Sequence, residues 1–169
     1  MNILVYGGLG FIGSNLSNYF AKKGHKVIIF DNLDSNSGGS IKNIDSNLSG
    51  IEVVFHDILN FDRVVEYSSK ADLIINCAAS SSHQYSMREP LSDLDVNSRG
   101  VLHVLEAIKR FNPNAYYIQL STTTQFGTLT YKPADENHYE SPRDIYSANK
   151  LVSEKYTHVY ANAFDINTV

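Results

Sequence analysis

The chain has 169 residues, 43% of them hydrophobic and 19% charged, and a chain of this length buries about 70% of the surface that its unfolded form exposes. These values predict a single domain with one core. The formal net charge is −4 at pH 7, which excludes the strongly basic surface that nucleic acid or an anionic membrane would require.

Six short apolar runs predict β-strands. Each run is apolar on successive residues rather than on alternate ones, which is typical of strands covered on both faces of a parallel sheet. Segments of mixed composition separate most of the runs and predict helices on the two sides of that sheet. The predicted strands are Ile3–Tyr6, Val27–Phe30, Val53–Phe55, Leu73–Ile75, Tyr116–Leu120 and Ile166–Val169, and the predicted helices extend from about Gly10 to Lys23, Phe61 to Ser69, Leu91 to Phe111 and Ser141 to Asn162.

Two of the predicted helices carry apolar stripes at helical spacing. The last helix is expected to begin with Ser141 as its N-cap and Pro142 at its first position. Two polar stretches, Leu33–Ser40 and Thr128–Ser141, are predicted to be irregular. The stripes are Leu94, Val101, Leu105 and Ile108 in the third helix, and Ile145, Ala148, Val152 and Val159 in the last.

The sequence contains no signal for secretion or for a membrane span. Its first residues lead directly into a strand pattern without the basic and apolar regions of a signal peptide, and no apolar run approaches the ~20 residues of a membrane helix. Cys77 is the only cysteine, so an internal disulfide is excluded. We therefore expect a cytoplasmic protein with no membrane partner.

Three glycines follow the first predicted strand, in the sequence GGLGFIGS. Gly7, Gly10 and Gly13 are spaced three apart and precede a predicted helix. Such glycines permit a tight turn, the approach of a pyrophosphate to the backbone, and close packing of the helix on the strand. An ordinary turn is the alternative. Together with the alternating elements, the motif predicts an α/β fold of the Rossmann type, a doubly wound parallel sheet with helices on both faces.

Carboxylates follow the second and third predicted strands. Asp31 lies eighteen residues after Gly13, where the ribose hydroxyls of a dinucleotide need an acceptor. No Arg or Lys is adjacent to Asp31 to neutralise a 2′-phosphate, which favours NAD over NADP. A solvated position at the end of a strand is the alternative. Asp57 is placed to meet the adenine, although an exposed surface position explains it nearly as well.

Tyr146 and Lys150 lie four residues apart on the last predicted helix, so both project from one face. A phenol with a pKa near 10 is a poor base at neutral pH. A cation about 4 Å away stabilises the phenolate by about 4 kcal/mol, or roughly three pKa units. The pair therefore predicts that Lys150, together with an oxidised nicotinamide, lowers the pKa of Tyr146 enough to make it a proton acceptor. An ordinary pair on a helix surface is the alternative.

Hydroxyl residues end the fifth predicted strand. Ligands of open α/β sheets bind at the carboxyl ends of the strands, so a hydroxyl at this position can hold a substrate oxygen. Capping of the strand end is the alternative for any one of them. The residues are Ser121, Thr122, Thr123 and Thr124.

Seven motifs occur in a characteristic order along the chain. They are GGLGFIGS, FDNL around Asp31, HDI at Asp57, NCAAS at Asn76–Ser80, DVNSRGVLHVLEA around Asn97, STTTQFG at Ser121–Gly127 and YSANK at Tyr146–Lys150. In this order and spacing the whole chain resembles the extended short-chain dehydrogenase/reductases, in particular the nucleotide-sugar epimerases and dehydratases. The resemblance implies that Tyr146 is the catalytic base, that Lys150 binds the ribose and lowers the pKa of the base, and that Thr122 hydrogen-bonds the reacting sugar hydroxyl.

The resemblance also implies NAD as the cofactor. Asn97 is open to a second interpretation, because a buried amide can equally tie together backbone groups of neighbouring strands. Cys77 is expected to be a small buried hydrophobic residue, and His83 and His138 show no metal-ligand spacing, so no metal site is predicted. The implied cofactor-binding residues are Gly7, Gly10, Phe11, Ile12, Gly13, Asp31, Asn32, Asp57, Ile58, Ala78, Ala79, Ser80, Asn97, Tyr146 and Lys150.

Four positions depart from the family pattern. Thr123 and Thr124 stand where the sugar 4,6-dehydratases carry acidic residues, or a Ser followed by Glu, for the elimination of water. A hydroxyl of very high pKa cannot replace such an acid or base, so dehydration is disfavoured. Phe126 replaces the usual Tyr, and Ser82 stands where many relatives have a His.

The resemblance favours an NAD-dependent nucleotide-sugar epimerase similar to UDP-glucose 4-epimerase, with transient hydride transfer to bound NAD. A dehydratase, decarboxylase or reductase of the same family is an alternative, and so is a non-catalytic NAD-binding module. Family members continue into a nucleotide-sugar-binding part, so residues 1–169 are expected to be a truncated chain that forms the NAD-binding domain and is inactive alone. The expected partners are a nucleotide-sugar and a second copy of the chain, because the helices at Leu91–Phe111 and Ser141–Asn162 resemble the pair that forms the family's homodimer.

Overall fold

The computed structural model describes residues 1–169 and contains one sheet of five parallel strands. The order across the sheet is β3-β2-β1-β4-β5, so the chain adds strands on one side of β1 and then crosses to the other side. This order confirms the predicted doubly wound sheet of the Rossmann type. The strands are β1 (Asn2–Tyr6), β2 (Lys26–Asp31), β3 (Ile51–Phe55), β4 (Leu73–Asn76) and β5 (Tyr116–Gln119).

Six α-helices accompany the strands. They are α1 (Phe11–Lys22), α2 (Phe61–Ser68), α3 (His83–Arg88), α4 (Pro90–Leu94), α5 (Gly100–Phe111) and α6 (Ile145–Phe164). A π-helical turn at Asp95–Arg99 joins α4 directly to α5, so the helix predicted at Leu91–Phe111 consists of three consecutive segments. Short 3-10 turns occupy Ile41–Asn43 and Thr123–Phe126. The predicted irregular stretches contain neither helix nor strand, whereas α3 has no counterpart in the prediction.

The core lies on both faces of the sheet. Successive side chains of a strand point to opposite faces. Leu4 and Tyr6 of β1 therefore pack in a cluster with α2 and α5, whereas Ile3 and Val5 pack in a second cluster on the face that α1 covers. All four side chains are at most 1% exposed. Burial on both faces explains why the strand sequences are apolar at successive positions.

The segment Ile166–Val169 does not form the predicted sixth strand, because it makes only one parallel bridge, between Thr168 and Tyr117 of β5. Tyr117 N–H donates to the Asn167 carbonyl at 2.8 Å, and Val169 N–H donates to the Tyr117 carbonyl at 2.9 Å. Ile166 is buried in the core. The apolar pattern therefore identified a segment beside β5 that is anchored by the buried Ile166, whereas Val169 is exposed, and the pairing is too short to form a ladder.

Helix α6 begins later than predicted. Asp144, not Ser141, is its N-cap, and the Asp144 Oδ1 atom accepts a hydrogen bond from Ser147 N–H at 2.8 Å. A carboxylate at this position satisfies one of the free N–H groups of the first turn. Ser141 is held elsewhere, because its own N–H donates to the Gln125 carbonyl at 2.9 Å.

The apolar stripe predicted for α6 is wrong. Val152 and Val159 are 36% and 53% exposed. The hydroxyls of Ser153 and Thr157 donate to carbonyls of their own helix, so they are buried without an unsatisfied polar group. The buried face of α6 is polar and consists of Ser147, Asn149, Lys150, Ser153 and Thr157.

The other predicted stripe is correct only within α5. Val101, Leu105 and Ile108 are buried, whereas Leu94 of α4 is 40% exposed. The π-helical turn between α4 and α5 places an extra residue in the helix. Residues on its two sides therefore do not share one face.

Candidate active site

The turn between β1 and α1 is shaped by close main-chain contacts. Gly7 has a φ of +67°, and a Cβ atom there would lie 2.6 Å from the Ala78 nitrogen. A Cβ atom on Gly13 would lie 2.3 Å from the Gly7 carbonyl oxygen. Gly10 is the N-cap of α1, no side chain caps this helix, and its first turn holds no acidic residue. The free N–H groups of α1 are therefore available to an anion.

Asp31 is held in place at the end of β2. The side chain is 8% exposed; its Oδ2 accepts a hydrogen bond from Leu9 N–H at 3.0 Å, and its Oδ1 accepts one from Leu33 N–H at 2.8 Å. A carboxylate has about four acceptor sites, so two acceptor positions stay free. Asn32 donates to the Asp57 carboxylate at 3.1 Å and thereby connects the ends of β2 and β3.

Most of the predicted cofactor residues line one cavity of about 410 Å³. Lys150 is the only Lys or Arg side chain in its wall. The wall also contains residues that the sequence pattern did not indicate, since each of them is an ordinary strand, loop or helix residue in that pattern. Among them are Tyr6, Phe30, His56, Val96, Leu120 and the loop residues Asp34 and Asn36–Gly39. The predicted residues that do line the cavity are Gly7, Gly10, Phe11, Ile12, Gly13, Asp31, Asn32, Asp57, Ile58, Ala78, Ala79, Ser80, Tyr146 and Lys150.

Asn97 does not line that cavity and lies behind its wall, on the π-helical turn. The side chain is 1% exposed, and its Nδ2 atom donates to the Ser80 carbonyl at 3.0 Å. Its Oδ1 atom is buried and has no hydrogen-bond partner. Asn97 therefore contacts the wall residue Ser80 through the backbone.

The buried Lys150 does not lower the pKa of Tyr146 as expected. The Lys150 ammonium is 3% exposed and donates to the Leu120 carbonyl, and burial lowers its pKa to about 8. Burial raises the pKa of the Tyr146 phenol; interaction with the Thr122 hydroxyl lowers that pKa, and the Asp93 and Asp144 carboxylates raise it further. The net direction is upward, so the expected phenolate is disfavoured in this arrangement.

Thr122 lies at the junction of two cavities. It caps the 3-10 turn Thr123–Phe126, and its Oγ1 atom lies 2.9 Å from the Oγ1 of Thr124. Thr122 lines a second cavity of about 380 Å³, whose wall includes Asp135 and Glu136 and which shares Ser121 with the first cavity. Tyr146 in the first cavity and Thr122 in the second therefore place a phenol and a hydroxyl between two adjoining spaces.

His83 and Asp144 form a pair that sequence analysis did not find. The His83 Nδ1 atom lies 2.8 Å from the Asp144 Oδ2 atom, and the imidazole packs edge-on against the Tyr146 ring, with ring centroids 4.8 Å apart. The two residues are 61 positions apart in the sequence, so no local spacing could have revealed the contact.

No three His, Cys, Asp or Glu side chains of the chain are grouped so that they could bind a metal ion. None of the helices has the length and apolar character that crossing a membrane requires. Cys77 is only partly buried and lines the larger cavity, where burial raises the pKa of its thiol to about 12.

The chain is similar to known proteins along its whole length. The family model described as GDP-mannose 4,6 dehydratase matches residues 4–169. The CDP-paratose 2-epimerase of Salmonella typhi is 29% identical over 187 residues, which cover 100% of this chain and 55% of that protein. The chain therefore spans about half the length of this relative.

Solved structures of two enzymes share the fold. The UDP-glucose 4-epimerase from Brucella ovis in complex with NAD is 28% identical, with a TM-score of 0.89, and the match covers 99% of this chain and 50% of that one. The dTDP-glucose 4,6-dehydratase from Bacillus anthracis in complex with NAD is 27% identical, with a TM-score of 0.86, and the match covers 99% of this chain and 53% of that one.

These similarities confirm the family resemblance that the seven sequence motifs indicated. The family model matches almost every residue of the chain, and both an epimerase and a dehydratase share its architecture. The chain therefore belongs to the GDP-mannose 4,6-dehydratase family, which joins NAD-dependent epimerases and dehydratases of nucleotide-sugars.

Proposed function

We propose that residues 1–169 form the NAD-binding domain of an NAD-dependent nucleotide-sugar epimerase similar to UDP-glucose 4-epimerase. The observation that carries this proposal is the meeting of Tyr146, Lys150 and Thr122 where the two cavities adjoin. Tyr146 and Lys150 line the larger cavity, and Thr122, which interacts with the Tyr146 phenol, lines the smaller one. A group that can exchange a proton thus lies between a space for a dinucleotide and a space for a second ligand.

The residues of the larger cavity fit NAD. Gly10 leaves the N-terminus of α1 uncapped and open to a pyrophosphate, and Asp31 has free acceptor positions for ribose hydroxyls. Lys150 is the only Lys or Arg in the wall, so no Lys or Arg near Asp31 neutralises a 2′-phosphate. NAD, when bound, accepts and returns a hydride. The predicted cofactor residues are proposed to hold it, with Asn97 supporting Ser80 from behind.

The side chains of this domain are proposed to transfer the proton of the reacting sugar hydroxyl. Thr122 holds the reacting sugar hydroxyl, and Tyr146 takes its proton and later returns it. Because burial raises the pKa of the phenol, Tyr146 becomes a base only beside a positive charge. Lys150, one helical turn away on α6, does not lower the pKa of the phenol by itself; it is proposed to bind the ribose and, together with an oxidised nicotinamide when the cofactor is bound, to supply that charge.

Elimination of water is not proposed. A dehydratase needs an acid and a base that titrate near neutral pH, and the 3-10 turn beside Thr122 offers only the hydroxyls of Thr123 and Thr124. These hydroxyls can bind a sugar, but neither can act as the acid or the base of an elimination at neutral pH.

A reductase is the second candidate, and the state of Tyr146 favours it. A phenol whose pKa is raised retains its proton, so it is better suited to donate a proton to a keto-sugar than to accept one. A reductase consumes one NADH in each turnover, whereas an epimerase consumes none. A decarboxylase would release CO₂, and a non-catalytic NAD-binding module would leave every nucleotide-sugar unchanged.

The proposed partners are a nucleotide-sugar and a second copy of the chain, in the cytoplasm. Leu91 of α4 is 75% exposed, and Val152 and Val159 of α6 are 36% and 53% exposed, so both helices offer apolar side chains to a partner. Residues 1–169 alone are expected to be inactive, because they span about half of the relatives they match and transition-state binding uses contacts along the whole substrate.

The decisive experiment is the substitution Tyr146→Phe in the full-length gene product. Interconversion of UDP-glucose and UDP-galactose is expected to fall by about 10³-fold, because the proton acceptor is lost without a change in ring volume, while binding of NADH is retained. The matched control is Tyr139→Phe, since Tyr139 is 76% exposed and lies outside both cavities. A Tyr146→Phe variant that keeps most of its turnover would contradict the proposal, and NADH consumption would favour the reductase.

A further inference from the structure

A carboxylate–imidazole pair lies beside the Tyr146 ring and has no part in the reaction described above. The Asp144 Oδ2 atom is 2.8 Å from the His83 Nδ1 atom, so the carboxylate accepts the Nδ1 proton. The Nε2 atom then makes no hydrogen bond within the chain, and the His83 side chain is 47% exposed. His83 is thus a titratable group with one nitrogen fixed and the other open to water.

Two helix N-termini hold this pair in place. His83 is the first residue of α3, which Ser82 caps, and Asp144 caps α6. A second contact joins the same two helices, because Tyr146 N–H donates to the Ser86 Oγ atom at 3.1 Å. The position of the imidazole relative to Tyr146 is therefore fixed by the packing of α3 on α6.

A continuous line of hydroxyls connects the Tyr146 phenol to this pair. The phenol interacts with the Thr122 hydroxyl. The Thr122 Oγ1 atom lies 2.9 Å from the Thr124 Oγ1 atom, which lies 2.7 Å from the Ser147 Oγ atom. The Ser147 hydroxyl in turn interacts with the Asp144 carboxylate and lowers its pKa, and the Asp144 Oδ1 atom accepts a hydrogen bond from Ser147 N–H at 2.8 Å. Each hydroxyl can donate one proton while it accepts another, so the line can conduct a proton in either direction.

We propose that His83 acts through Tyr146 as the proton reservoir of the site. Tyr146 becomes a phenolate when it has given its proton to a substrate oxygen, and the phenolate then takes a proton from the Thr122 hydroxyl. Thr122 takes a proton from Thr124, and Thr124 takes one from Ser147. The His83 imidazolium gives a proton to the Asp144 carboxylate, and Asp144 passes a proton to Ser147. Each group in the line gains one proton and gives up one, and the neutral imidazole recovers its proton from water at Nε2.

When Tyr146 takes the proton of a sugar hydroxyl, the line runs in the opposite direction: the proton that Tyr146 held passes to His83 and from its Nε2 atom to water. One epimerisation therefore takes up as many protons as it releases. This inference rests on the proposed role of Tyr146.

The electrostatics favour transfer toward Tyr146. An imidazolium is a stronger acid than a phenol, so the proton moves downhill from His83. Two carboxylates face the phenol, Asp93 from α4 and Asp144 from α6, and both raise its pKa. A site arranged in this way restores a protonated Tyr146 after each proton transfer to a substrate.

The first test needs no turnover and uses the 169-residue chain labelled with ¹³Cζ-tyrosine. The NMR titration of Tyr146, assigned with Tyr146→Phe, is compared between Thr124→Val and Thr123→Val. Thr124→Val removes the hydroxyl that supports Thr122 and is expected to raise the titration midpoint by about half a pH unit or more, as the loss of one supporting hydrogen bond implies. Thr123→Val is the matched control, because its hydroxyl is not part of the line. Identical midpoints in the two variants would overturn the proposal.

The second test uses nucleotide-sugar turnover by the full-length gene product. His83→Gln, which keeps a donor for Asp144 but cannot titrate, is expected to lower turnover about tenfold or more, and added imidazole is expected to restore turnover in His83→Ala. The control is His158→Gln, on the exposed side of α6. Full turnover in His83→Gln would overturn the reservoir while Tyr146→Phe still tests the base. If the wild type turns over no nucleotide-sugar, the proposed function fails and the Tyr146 titration alone decides this inference.

Discussion

The two sides of the candidate site are built by different means. On the side of the larger cavity, Gly7 and Gly13 bring main-chain atoms into contact, and Asp31 receives two main-chain N–H groups. On the side of Thr122, the arrangement depends on side chains from distant segments, such as His83 and Asp144. The first side is therefore sensitive to added volume, whereas the second is sensitive to the loss of single polar atoms.

The strongest test of this contrast is Gly7→Ala. The new Cβ atom would lie 2.6 Å from the Ala78 nitrogen, and the φ of +67° disfavours any side chain, so the free energy of unfolding is expected to fall by about 3 kcal/mol or more. Gly24→Ala is the matched control, because Gly24 has a φ of +82° but no atom within 4 Å of the new Cβ; it is expected to cost about 1–2 kcal/mol. Equal losses in urea unfolding would mean that close approach to Ala78 does not shape the turn.

Lys150 stands where the two sides meet, and it predicts a pH dependence of stability. Burial lowers its pKa to about 8 in the folded chain, below the ~10.4 of the unfolded chain. The unfolded state therefore binds more protons between these values, and the contribution of Lys150 to stability rises with pH in this window. Relative to Lys150→Met, the wild type is expected to gain about 2 kcal/mol between pH 8 and pH 10. A difference in unfolding free energy that does not change with pH would contradict the prediction.

The choice of cofactor tests the main-chain side at Asp31. Asp31→Ala is expected to weaken NADH binding by ~1.5–3 kcal/mol, the value of a charge-assisted hydrogen bond. Fluorescence of bound NADH measures this directly, because the chain contains no Trp. Asp62→Ala on α2 is the control. Tighter binding of NADPH than of NADH by the wild type would overturn the preference for NAD.

The smallest expected effect is at the start of α6. Asp144→Ala removes the N-cap and is expected to cost about 1 kcal/mol of unfolding free energy, whereas Asp144→Asn keeps an N-cap acceptor and is expected to cost only a few tenths. Thermal unfolding compares these variants with Ser141→Ala. A larger loss of unfolding free energy in Ser141→Ala than in Asp144→Ala would mean that Ser141 is the N-cap, as the sequence pattern predicted.

The main-chain side could be predicted from the sequence because its determinants are local. The three glycines lie within seven positions, and Asp31 ends the next strand. The spacing of these residues in the sequence therefore indicates that they lie together after folding, and in the structure all four line one cavity. The alternation of apolar runs and helical segments likewise predicted the doubly wound parallel sheet, whereas the order of its strands is known from the structure.

The side of Thr122 could not be predicted in the same way. Ser141 looked like an N-cap, but a main-chain hydrogen bond to Gln125 holds it outside the helix. The buried face of α6 carries Ser153 and Lys150 instead of an apolar stripe, since their polar groups find partners within the fold. Hydrophobic periodicity identifies a buried face only where that face consists of apolar residues, so it does not detect a buried polar face.

The π-helical turn at Asp95–Arg99 sets the rotation of the side chains of α5 relative to those of α4. Each helical residue advances the direction of a side chain by about 100°, so one extra residue resets which face of α5 follows a given face of α4. Deleting Ser98 would remove this extra residue, and one of two structural changes would follow. Either the buried stripe of α5 would rotate away from the sheet, or α4 and the turn that carries Asn97 would swing by about 100° away from Ser80. The spacing between Asn97 and Val101 is therefore a constraint on the length of the chain as well as on its composition.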